Sequence, residues 1–212
     1  CLDVGCGSGR WTKYIAQKVK FVEAVDPSLS VLVAKNNLVH LENTRVSQAG
    51  VDEIPFADES FDLVFSLGVL HHIPDTQKAM ANCVAKVKPG GIFLVYLYYS
   101  LDNRGRAYKL LFHLSNLLRK IISSLPGTLK SFVCECLALF VYYPLVSLGR
   151  ALLKLGVRDS IVNKLPLADY INKTFYIMRN DALDRFGTPL EQRFSKLEIE
   201  QMMKECGLED IE

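Results

Sequence analysis

Cys1-Leu2-Asp3-Val4-Gly5-Cys6-Gly7-Ser8-Gly9-Arg10-Trp11 opens the chain, and the reading of this stretch decides the fold. Its apolar start reads as a buried strand ending near Asp3, and the helical pattern begins at Arg10. Between them Gly5, Gly7 and Gly9 build a tight turn: glycine permits the sharp reversal, a close backbone approach to a ligand, and close helix–strand contact. A strand, a glycine turn and a helix N-terminus make a nucleotide-cradling loop. The spacing departs from the dinucleotide fingerprint G-x-G-x-x-G, because Arg10 stands where the last glycine is required. A purely structural glycine turn is the other reading of this stretch taken alone.

Outward from the loop, strands and helices alternate. Trp11, Tyr14, Ile15 and Val19 fall at helical spacing, so they predict a first helix and its apolar face. Phe21 to Val25 reads as a second strand ending at Asp26-Pro27-Ser28. Pro27 suits the first turn of a helix running through Leu32, Val33 and Val39. Thr44 to Ala49 is a third strand and Phe61 to Ser66 a fourth. Asp75 is an expected N-cap, with Ala79, Met80, Cys83, Val84 and Val87 on one face. Lys88-Pro89-Gly90-Gly91 stops that helix, and Ile92 to Tyr98 is a fifth strand. Such alternation predicts a parallel, doubly wound α/β sheet with right-handed crossovers. Ligands on such sheets sit beyond the strand C-terminal ends, where the glycine loop, Asp26 and Ser66 fall.

After about residue 100 the pattern changes. Residues 101–185 are rich in Leu, Phe and Tyr and broken by Pro126, Pro144 and Pro166, which predicts a helical insertion of several short helices. The charge-free stretch Cys136 to Gly149 is too short for a membrane span and is interrupted by Pro144, so it reads as lid helices or an interfacial segment. The chain returns to the core over 186–212, where Ser195-Lys196-Leu197-Glu198 is a capping box. The helix it opens places Ile199, Met202, Met203 and Cys206 on one face and ends at Gly207. The first 100 residues form the expected core.

Composition bounds the function. The chain has 212 residues, half of them hydrophobic, and a net charge of +2, too small to argue for nucleic acid. Six cysteines show no C-x-x-C pair and no zinc spacing, consistent with reduced thiols in the cytoplasm. No signal peptide is read. The chain begins without Met inside its first strand and stops where another strand is due, so further segments are expected at both ends.

Asp26, at the end of the second strand, can accept two hydrogen bonds from vicinal ribose hydroxyls; the alternative is an Asx turn before Pro27. Three more stretches follow in order: Ile54-Pro55-Phe56-Ala57-Asp58-Glu59-Ser60-Phe61-Asp62, Leu70-His71-His72-Ile73-Pro74-Asp75, and Val87-Lys88-Pro89-Gly90-Gly91. With the D-x-G-x-G-x-G turn they resemble the class I S-adenosylmethionine (SAM)-dependent methyltransferases. The likeness runs from Leu2 to about Tyr96, and lies with the small-molecule branch that includes ubiquinone/menaquinone-type C-methyltransferases and many O- and N-methyltransferases.

The resemblance implies a Rossmann-like sheet of order 3-2-1-4-5, its final two strands beyond this chain, and SAM as cofactor with S-adenosylhomocysteine as product. Asp3, Gly5, Cys6, Gly7 and Gly9 would meet the methionine end, Asp26 and Pro27 the ribose, and Gly50 and Val51 the adenine. Ser66 and Leu67 would line the cofactor. The family often has an acidic residue where this chain has Gly50, so backbone groups or Asp52 would have to serve there. His72, and secondarily His71, are candidate general bases, since imidazole titrates near neutrality; shaping the pocket is their other reading. No metal is implied.

The expected acceptor is a small molecule of apolar character, lined by Tyr96, Tyr98 and Tyr99 and covered by the insertion. Self-packing of the insertion, or packing on a partner chain, is equally compatible with its composition. Cytoplasmic localisation with peripheral membrane contact is the expectation, and no nucleic acid partner. The rival functions are SAM binding without turnover and, disfavoured by Arg10, NAD-dependent oxidoreduction.

Overall fold

The computed structural model describes residues 1–100 and 105–212 and divides into two compact units, residues 1–102 with 190–212, and residues 103–189. The expected start of the insertion at residue 101 lies outside the described residues.

The first unit is an α/β sheet. Its strands are β1 (Leu2–Val4), β2 (Val22–Asp26), β3 (Thr44–Gln48), β4 (Phe61–Leu67) and β5 (Val87–Tyr96), all parallel, in the order β3-β2-β1-β4-β5. The expected doubly wound, Rossmann-like order is the observed one. β1 is central, so it is buried at all three positions. Helices α1 (Arg10–Ala16), α2 (Ser30–Leu38) and α3 (Thr76–Val84) connect the strands. Asp75 caps α3 by accepting from Lys78 N at 2.9 Å, and Ala79, Met80 and Cys83 bury its inner face. α9 (Lys196–Glu205) opens with the capping box of Ser195 and Glu198 in place, and Ile199, Met202, Met203 and Cys206 pack on the core.

Three local expectations change. The buried residues of α1 are Thr12 and Ala16, while Trp11 and Tyr14 face out. α2 buries Val31, Ala34 and Leu38, leaving Leu32, Val33 and Val39 exposed, and it begins at Ser30 rather than at Pro27. Small residues are chosen where helices approach the sheet closely, and apolar bulk is left outside. Finally, Lys88–Gly91 is an excursion within β5: the ladder pairs Phe61 with Val87 and resumes at Leu63 with Ile92. Gly91 is needed there, since a Cβ would lie 3.0 Å from the Asp62 carbonyl oxygen.

The second unit is helical: α4 (Arg106–Ser123), α5 (Gly127–Leu137), α6 (Tyr143–Lys154), the short α7 (Asp159–Val162) and α8 (Phe175–Gly187). Ile122, Cys134, Ala138, Tyr142, Val146, Met178, Ala182 and Phe186 form its core. Pro144 does not interrupt the helix as expected. A π-helical segment, Ala138–Tyr142, joins α5 to α6, and its wider turn accommodates the missing N–H and the ring. The result is continuous helix over Gly127–Lys154, 28 residues, long and apolar enough to cross a membrane by length and composition. The charge-free stretch of residues 136–149 is thus one part of a longer helix.

Candidate cofactor site

The glycine turn is held from below. β1 carries the chain to Val4, and Gly5 N and Cys6 N both donate to the Val25 carbonyl of β2, at 2.8 and 3.0 Å. Gly9 N donates to Cys6 O at 2.8 Å, closing the turn before α1. Gly5, Gly7 and Gly9 all have left-handed φ, at 85°, 53° and 81°. Their surroundings differ. A Cβ on Gly5 would lie 2.5 Å from both Val69 methyls, and one on Gly9 would lie 2.9 Å from Leu38 Cδ1. A Cβ on Gly7 would meet nothing within 4 Å. The middle glycine therefore presents bare backbone to open space, while its neighbours serve packing.

Asp26 turns toward this loop. Its Oδ2 accepts from Gly7 N at 2.9 Å, and its Oδ1 accepts from Ser28 N at 2.9 Å and Ser28 Oγ at 2.6 Å. The Asx turn and the ligand-facing placement thus coexist: a carboxylate has about four acceptor positions, and three are used. Gly50 follows β3 and lies opposite Pro27, whose Cβ would be 4.0 Å from a Cβ on it. Ala49 N donates to the Asp26 carbonyl at 3.1 Å, tying that loop to the same strand end. Gly7, Asp26, Pro27 and Gly50 are gathered in this way. Leu67 ends β4, which pairs with β1, and Gly68 follows with an open left-handed turn.

Other expected ligands are placed differently. Asp3 is buried and its Oδ2 accepts from Thr12 Oγ1 at 2.6 Å, so it braces α1 against β1. Burial pushes its carboxyl up to about 7, against the Thr12 hydrogen bond and with help from Asp26. The Cys6 thiol, buried above all and near Asp3 and Asp26, is pushed up to about 12 and stays protonated. Ser66 is buried and donates to Val4 O at 2.8 Å; sheet alternation turns it inward, away from any lining role. Val51 packs on the core. Asp52 accepts from Asn82 Nδ2 at 3.1 Å and pairs with Lys78 at 3.4 Å, so it points to α3 rather than substituting at Gly50.

The two histidines follow β4 on a 3₁₀ turn, Leu70–His72. His71 is wholly buried and its ring stacks on Tyr98, centroids 3.9 Å apart. Burial, with the nearby His72 and Arg193 charges, pushes its pKa down to about 3. A neutral, enclosed imidazole stacked on Tyr98 fits the pocket-shaping reading of His71 better than the base reading. His72 Nδ1 lies 2.7 Å from the Leu190 carbonyl oxygen. A carbonyl only accepts, so Nδ1 carries the proton and, in the neutral ring, Nε2 carries the lone pair.

Sequence reasoning missed what holds this turn. Gln192 N donates to His71 O at 2.9 Å, and Gln192 Nε2 donates to Ile73 O at 2.6 Å and Thr76 Oγ1 at 3.1 Å. Arg193 pairs with the largely buried Glu191 at 2.7 Å, and its guanidinium lies 5.1 Å from the Tyr98 ring centre. Residues 190–194 come back more than a hundred residues after the histidines, with no periodicity to announce them. A groove of about 790 Å³ follows β5 and residues 207–212; it marks the unpaired sheet edge rather than the glycine loop. Among the described residues no group of three or more His, Cys, Asp or Glu gathers at metal-binding distance.

Comparison with known proteins agrees with this geometry. Residues 2–95 match the family described as "Methyltransferase domain". The ubiquinone biosynthesis O-methyltransferase of Coxiella burnetii is 37% identical over 110 residues, covering 50% of this chain and 45% of that protein. Phosphoethanolamine N-methyltransferase 2 of Caenorhabditis elegans is 35% identical over 101 residues, 46% of this chain and 23% of that one. Among solved structures, the YcgJ protein of Bacillus subtilis matches at 29% identity and a TM-score of 0.48, over 56% of this chain and 51% of that one. The chain spans less than half the length of the curated relatives it matches. Strand order, glycine turn and strand-end carboxylate are thus all in place within residues 2–95, the stretch that matches the methyltransferase-domain family.

Proposed function

We propose that this chain transfers a methyl group from SAM to a small, largely apolar acceptor by direct displacement. One observation carries the reading: the Asp26 carboxylate holds the Gly7 N–H, and open space lies where a side chain at position 7 would stand. These residues fit the cofactor. The open face of Gly7 suits its methionine end, Asp26 its ribose hydroxyls, and Pro27 with Gly50 a flat ring that no side chain at position 50 obstructs. The Gly5, Cys6 and Gly9 N–H groups are spent on the chain's own carbonyls, which suits a zwitterionic amino acid better than a pyrophosphate.

Bound SAM supplies an electrophilic sulfonium methyl. The chain's own contribution is alignment and proton removal. His72, its tautomer set by the Leu190 carbonyl, is the group that takes a proton from the attacking atom. Tyr96 and Tyr98, ring centres 6.1 Å apart at the end of β5, with His71 stacked on Tyr98, make the aromatic surface that favours an apolar acceptor. Purified protein assayed for S-adenosylhomocysteine release against panels of polar and apolar acceptors tests the proposal. Turnover confined to polar acceptors would sink the apolar assignment, and SAM binding without turnover on any acceptor would favour a non-catalytic binding role.

A further inference from the structure

Charge is divided unevenly along this chain. Residues 103–189 carry 13 Lys and Arg against 5 Asp and Glu, while the remainder carries 12 against 18. A net +2 therefore conceals a helical unit at +8 beside an α/β unit at −6. The same basic unit displays apolar rows that its own core does not use. On α4, Leu110, Leu114, Leu117, Leu118 and Ile121 are all more than half exposed and recur at helical spacing, while Ile122 faces the core. On the continuous helix Gly127–Lys154, Leu129, Phe132, Leu139, Phe140 and Tyr143 form a second row, with Phe140 71% exposed. At its C-terminal residue and beyond, exposed Lys154, Arg158 and Lys164 are interleaved with Leu155, 80% exposed, and Ile161.

We propose that the helical unit docks on the surface of an anionic lipid bilayer, lying in the interface through these rows with the exposed Lys154, Arg158 and Lys164 on the headgroups. Amphipathic helices with basic flanks bind in this way, their affinity summed from buried apolar area and attraction to anionic lipid. Charge complementarity selects the occupant: a surplus of eight positive charges disfavours a second copy of the same basic unit and favours an anionic plane. Lying on the surface, rather than spanning, follows from the core. The opposite face of Gly127–Lys154 is committed through Cys134, Ala138, Tyr142 and Val146 to a cluster with Met178, Ala182 and Phe186. The one acid on α5, Glu135, is paired with Arg179 at 3.7 Å.

The test is flotation of the whole chain with phosphatidylglycerol-rich vesicles and with pure phosphatidylcholine vesicles, across a salt series. Co-flotation with the anionic vesicles, weakening as salt rises, is expected. L114E/L118E and F132E/F140E remove apolar anchors, and K154E/R158E/K164E weakens partition by about a hundredfold or more, at roughly fivefold per lost cation. Far-ultraviolet circular dichroism and SAM calorimetry keep loss of docking distinct from misfolding and from failure of the α/β site. Equal flotation with both vesicle types, unchanged flotation of the triple charge variant with helicity intact, or resistance to alkaline carbonate extraction would each overturn the proposal. So would a dimer in size-exclusion chromatography that the Leu and Phe variants dissociate.

Discussion

Gly5→Ala tests whether the opening turn is built by packing. At φ 85° an alanine takes on left-handed strain of about 1–2 kcal/mol. Its methyl would also lie 2.5 Å from Val69 Cγ1 and Cγ2 and 2.9 Å from Val69 Cβ. Val69 belongs to the loop after β4, so relief requires that loop to move against β1, an overpacking cost of about 1–3 kcal/mol. Together these give roughly 2–5 kcal/mol, on the order of 10 °C in melting temperature for a chain of this size. Val69→Ala removes both offending methyls. The double variant should therefore recover the methyl part of the steric share while keeping the backbone share and the 2.9 Å contact with Val69 Cβ, a favourable coupling of up to about 3 kcal/mol. Thermal unfolding of the four proteins, followed by circular dichroism, measures it. Gly5→Ala melting with the parent, or a coupling near zero, would refute the packing account. Gly7→Ala is the contrast: strain alone, about 1–2 kcal/mol, with SAM affinity as its main casualty.

Three further outcomes are expected. Asp3 is held near 7 in the fold against 3.8 in its reference state, so the native chain keeps a proton that the unfolded chain releases. Stability should therefore fall as pH rises from about 4 to 7, by at most about 4 kcal/mol, and Asp3→Asn should flatten that slope in urea titrations. His71 acts in the opposite sense. Lowered to about 3 from 6.5, it contributes stability above 6.5 that is lost as pH falls toward 3, and His71→Phe should remove this acid limb while retaining the ring against Tyr98. For turnover, His72→Gln should lower kcat by about 10²–10⁴-fold, with SAM affinity unchanged in calorimetry; a His72→Gln enzyme with parental kcat would remove the base.

The sheet was legible because its strands are short apolar runs, two of them stopped by Asp26-Pro27 and Gly68, and because parallel connections leave few topologies. The faces of α1 and α2 were not. Both helices approach the sheet through small or short residues, Thr12, Ala16 and Ala34, and Gly9 lies close to Leu38, whereas Trp11, Tyr14, Leu32 and Val33 mimic a core face. Asp26 could be found because a carboxylate at a strand tip has a distinct job; Ser66 misled because a serine near the site also suits a hydrogen bond across the sheet. The clamp of Leu190 and Gln192 on the histidine turn was invisible, since it uses backbone carbonyls and amides that every sequence has. Pro144 was read by its usual effect, which the π segment absorbs.

The most direct test of the account is a calorimetric SAM titration of the parent chain and Asp26→Ala. Three of the carboxylate's four acceptor positions are taken within the chain, so one charge-assisted hydrogen bond to ribose is lost, about 1.5–3 kcal/mol, and affinity should fall by roughly tenfold to a hundredfold. Unfolding by urea on the same samples separates this from the loss of the Gly7 and Ser28 contacts. Equal affinity in the two proteins, or no measurable SAM binding by the folded parent, would contradict the central claim that Asp26 and the Gly7 turn together hold the cofactor.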